Sequence, residues 1–450
     1  MTLNMCGNIY ATRLSEDLLA MMQVEIDVSE VAEEARRVLA RNRRQGISEW
    51  GGRRYDFVCP SSQAYPFQWF WDSCFHAIAL LHFDSEQAKQ EIRCLLQGAQ
   101  PDGFLPHMLL WDRQLHAQAQ RDYSIVMAEP FYTATVQPPV LARAVWRLYQ
   151  ATKDREFLLD VLPATMRFFR WLKAYRDPDD DQLVAIIQPD ESGLDASPKY
   201  DVLMHLQDVP PQQLAAALRS SMDRLFSAYA PHREDPARML ALDVFNWEDV
   251  MVNSIYADGL QLLGGLCREA GYPPSEAAEF ERRGRRVLAA LEEKCWDERT
   301  GVFWDLYGYE ETRAHTLTIS SLFPLIVESL DRHMVWRLVE EPLLNENEFW
   351  LPYPIPSVAA TEASFDAEFG SGAIWRGPTW VNTNYYLYWG LRAHGYGDVA
   401  SELAKRTVQM IGRGGMRECF NPYTAQGYGA GDFGGTTLVL DLIHAEGWDR

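Results

Sequence analysis

Helical periodicity runs through almost the whole of this 450-residue chain. In residues 28–42, for example, apolar side chains recur every three or four positions and Arg and Glu occupy the opposite face, which is the pattern of an amphipathic helix. The strict alternation that marks a half-buried strand is rare, and no Pro/Ser-rich or low-complexity tract divides the chain. The sequence therefore predicts an all-α protein without an internal linker.

The predicted helices occur in a regular succession of pairs. They cover residues 28–42, 74–81, 85–98, 137–149, 155–176, 211–229, 248–270, 275–295, 318–328, 330–340, 379–394, 397–411 and 436–445. Residues 296–306 are predicted to form a hairpin with a turn at Thr300-Gly301. This pairing predicts an (α/α)6 barrel, a toroid of six helical hairpins, as a single domain over residues 1–450 with residues 1–27 as an N-terminal extension. An α-solenoid is the alternative, but it should show a repeat of fixed period, and none is visible.

Composition limits the partners of such a chain. The formal net charge is -21, and nucleic acids and anionic membranes both require a basic face, so neither is expected to bind. Aromatic residues make up 12 % of the chain, with 15 Trp and 20 Tyr. They indicate either a large aromatic core or a sugar site, because the apolar face of a pyranose stacks on Trp and Tyr. A small, neutral or locally recognised substrate is the expected partner, and the oligomeric state stays open.

The residues that usually hold metals or cofactors are not arranged to do so. No two of the seven Cys residues form a Cys-x-x-Cys pair, so neither a zinc site nor a disulfide framework is predicted. His76 and His82 have no other ligand types at metal spacing, and phosphate-loop and dinucleotide motifs are absent from the sequence. No metal and no cofactor are therefore expected. Without a visible secretory signal or membrane-spanning run, the protein is predicted to be cytoplasmic.

Two acidic stretches are the candidates for chemistry. Residues 189–198 carry three carboxylates, two hydroxyls, one Gly and two Pro without an amphipathic period, which predicts a constrained loop, with a solvated turn as the simpler interpretation. Near the other end of the chain, Glu418 lies between the apolar Met416 and Phe420 and precedes a Gly-rich run at residues 427–435. Its simpler interpretation is a surface turn after a helix.

Taken together, Asp195 and Glu418 suit the hydrolysis of a glycosidic bond. One carboxyl must be protonated to assist the departing oxygen, and the other must be ionised to take a proton from water. Burial, or a like-charged neighbour such as Glu191, would raise the pKa of the acid. A separation of about 6.5–9.5 Å would leave room for the water and would invert the configuration of the anomeric carbon.

Several aromatic and polar clusters are candidates for substrate binding. Asp72 can accept hydrogen bonds from two sugar hydroxyls or cap a helix, Arg376 can bind a hydroxyl or an anion or form a structural ion pair, and His107 is more often a structural residue in such a setting. The candidate substrate-binding residues are Trp69, Trp71, Asp72, Gln100, Asp102, His107, Glu191, Trp375, Arg376 and Trp380.

The same residues resemble glycoside hydrolase family 63 and its clan, which includes the family 37 trehalases, from about Trp69 to Asp441. The motifs that carry the resemblance are Trp69-Phe70-Trp71-Asp72, Gln100-Pro101-Asp102-Gly103, Glu191-Ser192-Gly193-Leu194-Asp195-Ala196-Ser197-Pro198, Trp375-Arg376-Gly377-Pro378-Thr379-Trp380 and Glu418-Cys419-Phe420-Asn421-Pro422. The resemblance implies an (α/α)6 barrel that hydrolyses α-glycosides with inversion, with Asp195 as the general acid and Glu418 as the general base. It also implies that the glycone pocket is lined by Trp71, Asp72, Trp375, Arg376 and Trp380.

Two departures from the family pattern concern the shape of the pocket. Ala196 stands where family members often carry Asn, and the stretch 432–437 lacks the Trp that often follows the Gly-rich run. The chain is as short as the compact bacterial members, some of which cleave glucosylglycerate or mannosylglycerate. If the aglycone is acidic, Lys199, Arg376 or Arg417 could bind it.

The main functional hypothesis is a cytoplasmic α-glycosidase that acts on a small glucoside or mannoside, such as glucosylglycerate, mannosylglycerate or a disaccharide, by acid/base-assisted attack of water. The alternative is a carbohydrate-binding or phosphorylase-type (α/α)6 protein without hydrolysis. A third hypothesis, a helical scaffold that binds proteins, predicts a long concave surface and no enclosed pocket holding both carboxylates.

Overall fold

The computed structural model describes residues 27–123, 127–129 and 131–449, so the predicted N-terminal extension, apart from Asp27, lies outside the described residues. The helices are α1 (Val28–Asn42), α2 (Phe70–Leu80), α3 (Ser85–Leu96), α4 (His116–Tyr123), α5 (Leu141–Thr152), α6 (Arg155–Arg176), α7 (Asp201–Met204), α8 (Pro211–Tyr229), α9 (Pro236–Leu240), α10 (Val250–Ala270), α11 (Pro274–Ala290), α12 (Arg332–Leu338), α13 (Val381–Ala393), α14 (Gly397–Gly414) and α15 (Val439–Glu446). None of the helices in the described ranges is long and apolar enough to cross a membrane.

Short strands lie in the connections between helices. They are β1 (Arg43–Ile47), β2 (Arg54–Val58), β3 (Gln68–Trp69), β4 (Met108–Leu109), β5 (Met127–Glu129), β6 (Tyr132–Thr133), β7 (Trp247–Glu248), β8 (Trp296–Asp297), β9 (Val302–Phe303), β10 (Asp305–Tyr307), β11 (Thr312–Ala314), β12 (Arg417–Phe420) and β13 (Gly427–Gly431). They form a four-stranded sheet in the order β3-β4-β6-β5, a three-stranded sheet in the order β11-β10-β7 and three two-stranded hairpins.

Six elements form a closed inner ring. In order around the ring they are α2, α5, α10, the 3-10 helix Ile319–Ile326, α13 and the 3-10 helix Gly434–Leu438, and the last contacts the first. An outer helix packs against each of them: α3, α6, α11, α12, α14 and α1, respectively. Burial agrees with this arrangement. Every side chain of the inner helix α2 is buried, whereas the outer helix α1 buries one face and exposes the other. The core therefore lies between the two rings.

The N-terminal and C-terminal parts of the chain meet and close the ring. The side-chain amide of Asn42 donates to the Asp432 carbonyl at 2.7 Å, and the Ser61 hydroxyl donates to the Gly431 carbonyl at 3.0 Å. The segment 42–65 is thereby fixed against the β12–β13 hairpin, in which Arg417 pairs with Gly431.

Most of the predicted helices are present, with differences that have local causes. The helix predicted at 74–81 already begins at Phe70, so Trp71 and Asp72 lie in its first turn. The helix predicted at 137–149 begins only at Leu141, because Gln137 and Pro138 each precede a proline, and the residue before a proline is disfavoured in the helical conformation. The segment predicted at 318–328 is the 3-10 helix 319–326, which contains a proline.

Strands are more frequent than the sequence pattern indicated. The hairpin predicted at 296–306 is confirmed by β8 and β9, which pair across the turn that contains Thr300 and Gly301. The other strands are two to five residues long, too short for an alternating pattern to be recognised. Glu418 accordingly lies on strand β12 and not in a turn after a helix.

Candidate active site

A cavity of about 210 Å³ holds both candidate catalytic carboxylates, Asp195 and Glu418. Its wall is formed by loops and first helical turns from distant parts of the chain. The residues lining it are Pro60, Tyr65, Trp69, Trp71, Asp72, His107, Gln137, Asp190, Gly193, Asp195, Ile374, Trp375, Trp380, Glu418 and Phe433. The scaffold hypothesis did not predict a pocket that holds both carboxylates, so this cavity argues against it.

The loop that carries Asp195 is a tight turn pressed against an indole ring. After the 3-10 turn Pro189–Ser192, Gly193 adopts a φ of 72°, a left-handed conformation that L side chains rarely adopt. A Cβ at this position would lie 2.2 Å from the ring of Trp71. The Ser192 hydroxyl donates to the Pro189 carbonyl and accepts the Leu194 N–H. Glycine is therefore required for Trp71 to pack beneath the loop.

Glu191 anchors this loop from behind and does not line the cavity. Its side chain is fully buried and pairs with the Arg176 guanidinium through two hydrogen bonds of 2.9 and 2.6 Å. The backbone N–H groups of Val136 and Ile187 donate to the same carboxylate at 2.9 Å. Because protein groups supply all four of these hydrogen bonds, Glu191 fixes the loop that carries Asp195 to the end of α6.

Glu418 is held in place by donors on two sides. The Tyr65 hydroxyl donates to its carboxylate at 3.1 and 3.3 Å, and the backbone N–H of Ala430 donates at 2.7 Å. Gly429, with a φ of 65°, allows the carboxylate to lie against strand β13, since a Cβ there would lie 2.3 Å from the Glu418 Oε2. The β12–β13 hairpin therefore presents Glu418 with hydrogen bonds that favour its ionised form.

Asp195 and Glu418 differ in the groups that shift their pKa values. Burial, together with the negative charge of Glu418, raises the pKa of Asp195 to about 7. Burial also raises the pKa of Glu418, but the N–H of Ala430 and the hydroxyl of Tyr65 act in the opposite direction. An acid that stays protonated near neutrality beside a hydrogen-bonded carboxylate is the division of roles that glycoside hydrolysis needs.

Two further carboxyl groups lie in the same cavity. Burial, and then the charges of Glu418 and Asp195, raise the pKa of Asp72 to about 8. Burial and the charge of Asp195 hold the pKa of Asp190 well above its usual range. A protonated carboxyl can donate a hydrogen bond as well as accept one, so Asp72 and Asp190 can each donate a hydrogen bond to a sugar hydroxyl or accept one from it.

Aromatic rings form another part of the cavity wall. The rings of Trp375 and Trp380 stack with their centroids 3.7 Å apart and an angle of 7° between planes, and Trp71 lies 6.4 Å from Trp375. Phe433 meets Trp380 edge-on at 6.3 Å. The indole nitrogen of Trp380 is buried and donates to no protein atom. Stacked apolar rings beside free donors and acceptors are typical of a sugar pocket.

His107 and Trp69 complete the wall on the side of the four-stranded sheet. The His107 ring lies 4.9 Å from Trp69 and is almost fully buried, and burial lowers its pKa to about 3. The imidazole is therefore neutral at physiological pH. A neutral ring offers one donor and one acceptor to a ligand rather than a positive charge.

Gln100 and Asp102 line a different cavity, of about 300 Å³, together with Phe104, Trp171 and Arg233 among others. The Asp102 carboxylate accepts the Trp171 indole N–H at 3.2 Å and the Phe104 backbone N–H at 3.1 Å. These bonds shape the loop between α3 and β4. The structure does not bring Gln100 and Asp102 together with the candidate catalytic carboxylates.

The cations considered for an acidic aglycone are engaged elsewhere. Arg376 forms a two-pronged ion pair with Asp201, which is the structural alternative noted from the sequence. Lys199 is fully buried between Asp249 and Asp305, and Arg417 donates to the Gly429 carbonyl at 2.6 Å. Within the described ranges, no Lys or Arg lines the cavity that holds Asp195.

The sequence analysis did not assign seven residues that line the cavity: Pro60, Tyr65, Gln137, Asp190, Gly193, Ile374 and Phe433. Asp190 precedes Glu191 in the acidic loop, so its neighbours were a usable signal. Tyr65 and Gln137 had none, because each acts through a residue far away in the chain: Tyr65 donates to Glu418, and the side-chain amide oxygen of Gln137 accepts the Trp71 backbone N–H at 2.9 Å.

Comparison with known proteins agrees with this geometry. A family model described as a mannosylglycerate hydrolase MGH1-like glycoside hydrolase domain matches residues 65–436. A mannosylglycerate hydrolase from Thermus thermophilus is 31 % identical over 412 residues, covering 84 % of this chain and 94 % of the relative. A glucosylglycerate hydrolase from Mycolicibacterium hassiacum is 25 % identical over 404 residues, covering 81 % and 89 %.

A solved structure gives the same result at the level of the fold. The crystal structure of a family 63 mannosylglycerate hydrolase from Thermus thermophilus in complex with Tris and D-glycerate superposes with a TM-score of 0.78 at 27 % identity, covering 93 % of this chain and 100 % of that one. This helix-rich chain is therefore a glycoside hydrolase. More particularly, it belongs to the MGH1-like glycoside hydrolase family, which confirms the resemblance to family 63.

Proposed function

We propose that the chain hydrolyses a small α-mannoside or α-glucoside with inversion at the anomeric carbon. Asp195 acts as the general acid and Glu418 as the general base. The observation that carries the proposal is the shared cavity in which Asp195 has a pKa raised to about 7 while Glu418 receives hydrogen bonds from Tyr65 and Ala430. These environments favour a protonated acid and an ionised base in one site.

The reaction needs one proton transfer on each side of the sugar. The Asp195 carboxyl gives its proton to the glycosidic oxygen as the bond from that oxygen to the anomeric carbon breaks. Glu418 takes a proton from a water molecule, whose oxygen bonds to the opposite face of the same carbon. Trp375 and Trp380 hold the sugar ring, and Asp72 binds its hydroxyls.

The first substrate to test is mannosylglycerate, followed by glucosylglycerate. Relatives with these two activities align over four fifths or more of the chain, and the related crystal structure contains D-glycerate. One observation favours a second candidate, a glycoside with a neutral aglycone. The described lining of the cavity contains no Lys or Arg, its His107 is neutral, and Asp190 adds a further carboxyl group there.

A matched panel of α-mannosides and α-glucosides, with glycerate and with glycerol as the aglycone, separates these candidates. If the glycerate compounds have the higher kcat/KM, the acidic aglycone is correct; if the glycerol compounds do, the neutral one is. Hydrolysis of none of them would contradict the proposed substrate class. Proton NMR of the first-formed product tests inversion, since an α-glycoside must initially give the β-anomer.

The roles of the two carboxylates are tested by Asp195→Asn and Glu418→Gln. Each variant is expected to lose about 10³-fold or more in kcat with an unchanged melting temperature, because the side chains keep their size. Asp208→Asn and Glu346→Gln, at exposed positions, are the matched controls and should retain full activity. Near-normal rates in both catalytic variants would contradict the assignment.

We also propose that the protein is a single-domain (α/α)6 barrel acting in the cytoplasm. The closed inner ring of six elements, each with an outer helix packed against it, supports this architecture. Limited proteolysis followed by mass spectrometry tests the domain organisation, because a single domain should yield no stable fragment that retains either carboxylate alone. Cell fractionation tests the location.

A further inference from the structure

Four carboxylates converge at a place outside the active-site cavity. Asp179 and Asp181 lie in the loop that follows α6, Glu248 lies on strand β7, and Glu311 lies in the turn between β10 and β11. One oxygen from each of them can be chosen such that all four lie within 4.8 Å of one another. The three segments are widely separated in the chain, so the fold itself brings these oxygens together.

Hydrogen bonds account for part of this acidic cluster but not for all of it. The Lys294 ammonium donates to Asp181 and Glu311, each at 2.6 Å, and the Leu183 N–H donates to Asp181 at 2.8 Å. Four negative charges against one positive charge leave a formal excess of three. Such an excess in a partly buried site requires further compensation.

Glu248 is the residue that points to a ligand. Its side chain is only 8 % exposed, and its Oε2 atom is buried without any hydrogen-bond partner. A buried carboxylate oxygen without a donor is costly, and groups of this kind are normally satisfied by a donor or an ion. Glu248 belongs to the cluster and faces three other carboxylates, and burial together with their charges raises its pKa to about 8, so this oxygen is satisfied either by a proton or by a cation.

We propose that Asp179, Asp181, Glu248 and Glu311 bind a calcium ion. The donors are all carboxylate oxygens, which hard divalent cations prefer. Calcium binds oxygens at about 2.3–2.6 Å, so oxygens on opposite sides of the ion lie about 4.6–5.2 Å apart, whereas magnesium brings them to about 4.0–4.2 Å. The four oxygens lie within 4.8 Å of one another, close enough for a single calcium ion to contact all of them. Asp179 is exposed and provides the route of entry.

The bound ion would connect segments that support the catalytic loop. Ile186, a few residues beyond Asp181, forms an isolated β-bridge with Trp247, the neighbour of Glu248. The same segment continues into residues 189–195, which carry the general acid. Calcium binding should therefore stabilise the chain and fix the approach to this loop, independently of which sugar is hydrolysed.

Calorimetry on the whole chain tests the site without any activity measurement. After removal of metal with EDTA and dialysis, titration with CaCl₂ should show one ion bound per chain, and MgCl₂ should bind at least tenfold more weakly. Calcium at about one hundred times its Kd should raise the melting temperature by about 3 °C. Absence of binding heat at millimolar calcium, with an unchanged melting temperature, would overturn the proposal.

Variants separate a calcium site from a cluster that Lys294 alone compensates. Glu248→Gln should abolish the calcium-dependent rise in melting temperature, and Asp179→Asn, at an exposed position, should weaken calcium binding at least tenfold without affecting folding. Glu310→Gln, next to the cluster and exposed, is the control and should bind like the wild type. If Glu248→Gln raises the melting temperature of the metal-free protein and leaves calcium binding intact, the proposed site is wrong.

Discussion

The hydroxyl of Tyr65 is a sensitive test of the assignment of the general base. It donates to Glu418 at 3.1 and 3.3 Å, longer than the usual 2.7–2.8 Å of such bonds, so its contribution falls at the low end of charge-assisted hydrogen bonds, about 1.5 kcal/mol. The bond favours the ionised carboxylate. Its removal in Tyr65→Phe should therefore raise the pKa of Glu418 by about one unit, since one unit corresponds to about 1.4 kcal/mol.

The dependence of kcat/KM on pH measures this change, because it reports the pKa values of the free enzyme. In Tyr65→Phe the acidic limb should move upward by about one pH unit, while the basic limb, which belongs to Asp195, stays in place. The Ala430 N–H still donates to Glu418, so activity at the optimum should fall less than about tenfold. Tyr309→Phe, at a position that is 56 % exposed, is the matched control.

Three outcomes distinguish the possible errors in this reasoning. An acidic limb that stays where it is would mean that Glu418 is not the group titrating there, and the general-base assignment would fail. A shift of the basic limb alone would place the titrating acid, and not the base, beside Tyr65. An equal shift in Tyr309→Phe would show that the change does not come from the cavity.

The remaining predictions concern the acid and its loop. Because Asp195 must be protonated and its pKa is raised to about 7, wild-type kcat/KM should fall as the pH rises through about 7; a plateau extending past pH 9 would contradict this. Gly193→Ala should lower the free energy of unfolding, measured by urea titration, by about 2–4 kcal/mol, because it adds backbone strain and a clash with the Trp71 ring. The control is Gly308→Ala, where φ is 69° and the space around the residue is open; it should lower the free energy of unfolding by only about 1–2 kcal/mol. Glu191→Gln should cost about 3–5 kcal/mol, because it leaves the buried Arg176 without its counter-charge; a loss below 1 kcal/mol would show that the pair is not structural.

The parts of the fold that could be predicted from sequence are those with long periodic patterns. The helix predicted at 28–42 has the observed bounds, and so does the one at 155–176, because both are amphipathic and begin after a capping Asp. Apart from the β8–β9 hairpin, the strands of two or three residues could not be predicted, since their pairing depends on contacts such as Gln68 with Leu109 that lie far apart in the chain. The sequence of such a short strand does not indicate which distant segment it pairs with.

The same limit explains which candidate residues the structure brings into the cavity and which it does not. Asp195 and Glu418 stand in stretches whose composition is unusual by itself, and the cavity contains both. Glu191 and Arg376 were equally conspicuous, but their partners, Arg176 and Asp201, bind them away from the cavity. A charged residue near a catalytic motif does not reveal from sequence alone whether it faces a ligand or an internal counter-ion.

The closure of the ring by its two ends has a consequence for biosynthesis. A ribosome adds the β12–β13 hairpin after almost all of the helices, so the partners of Asn42 and Ser61 do not exist while the earlier helices are being made. Until then the nascent chain carries Asp195 without Glu418, and the face of α1 that packs on residues 434–446 stays uncovered. We therefore expect enzymatic activity to begin only after residues 417–446 have left the ribosome, and chaperones to engage the chain most strongly just before that moment.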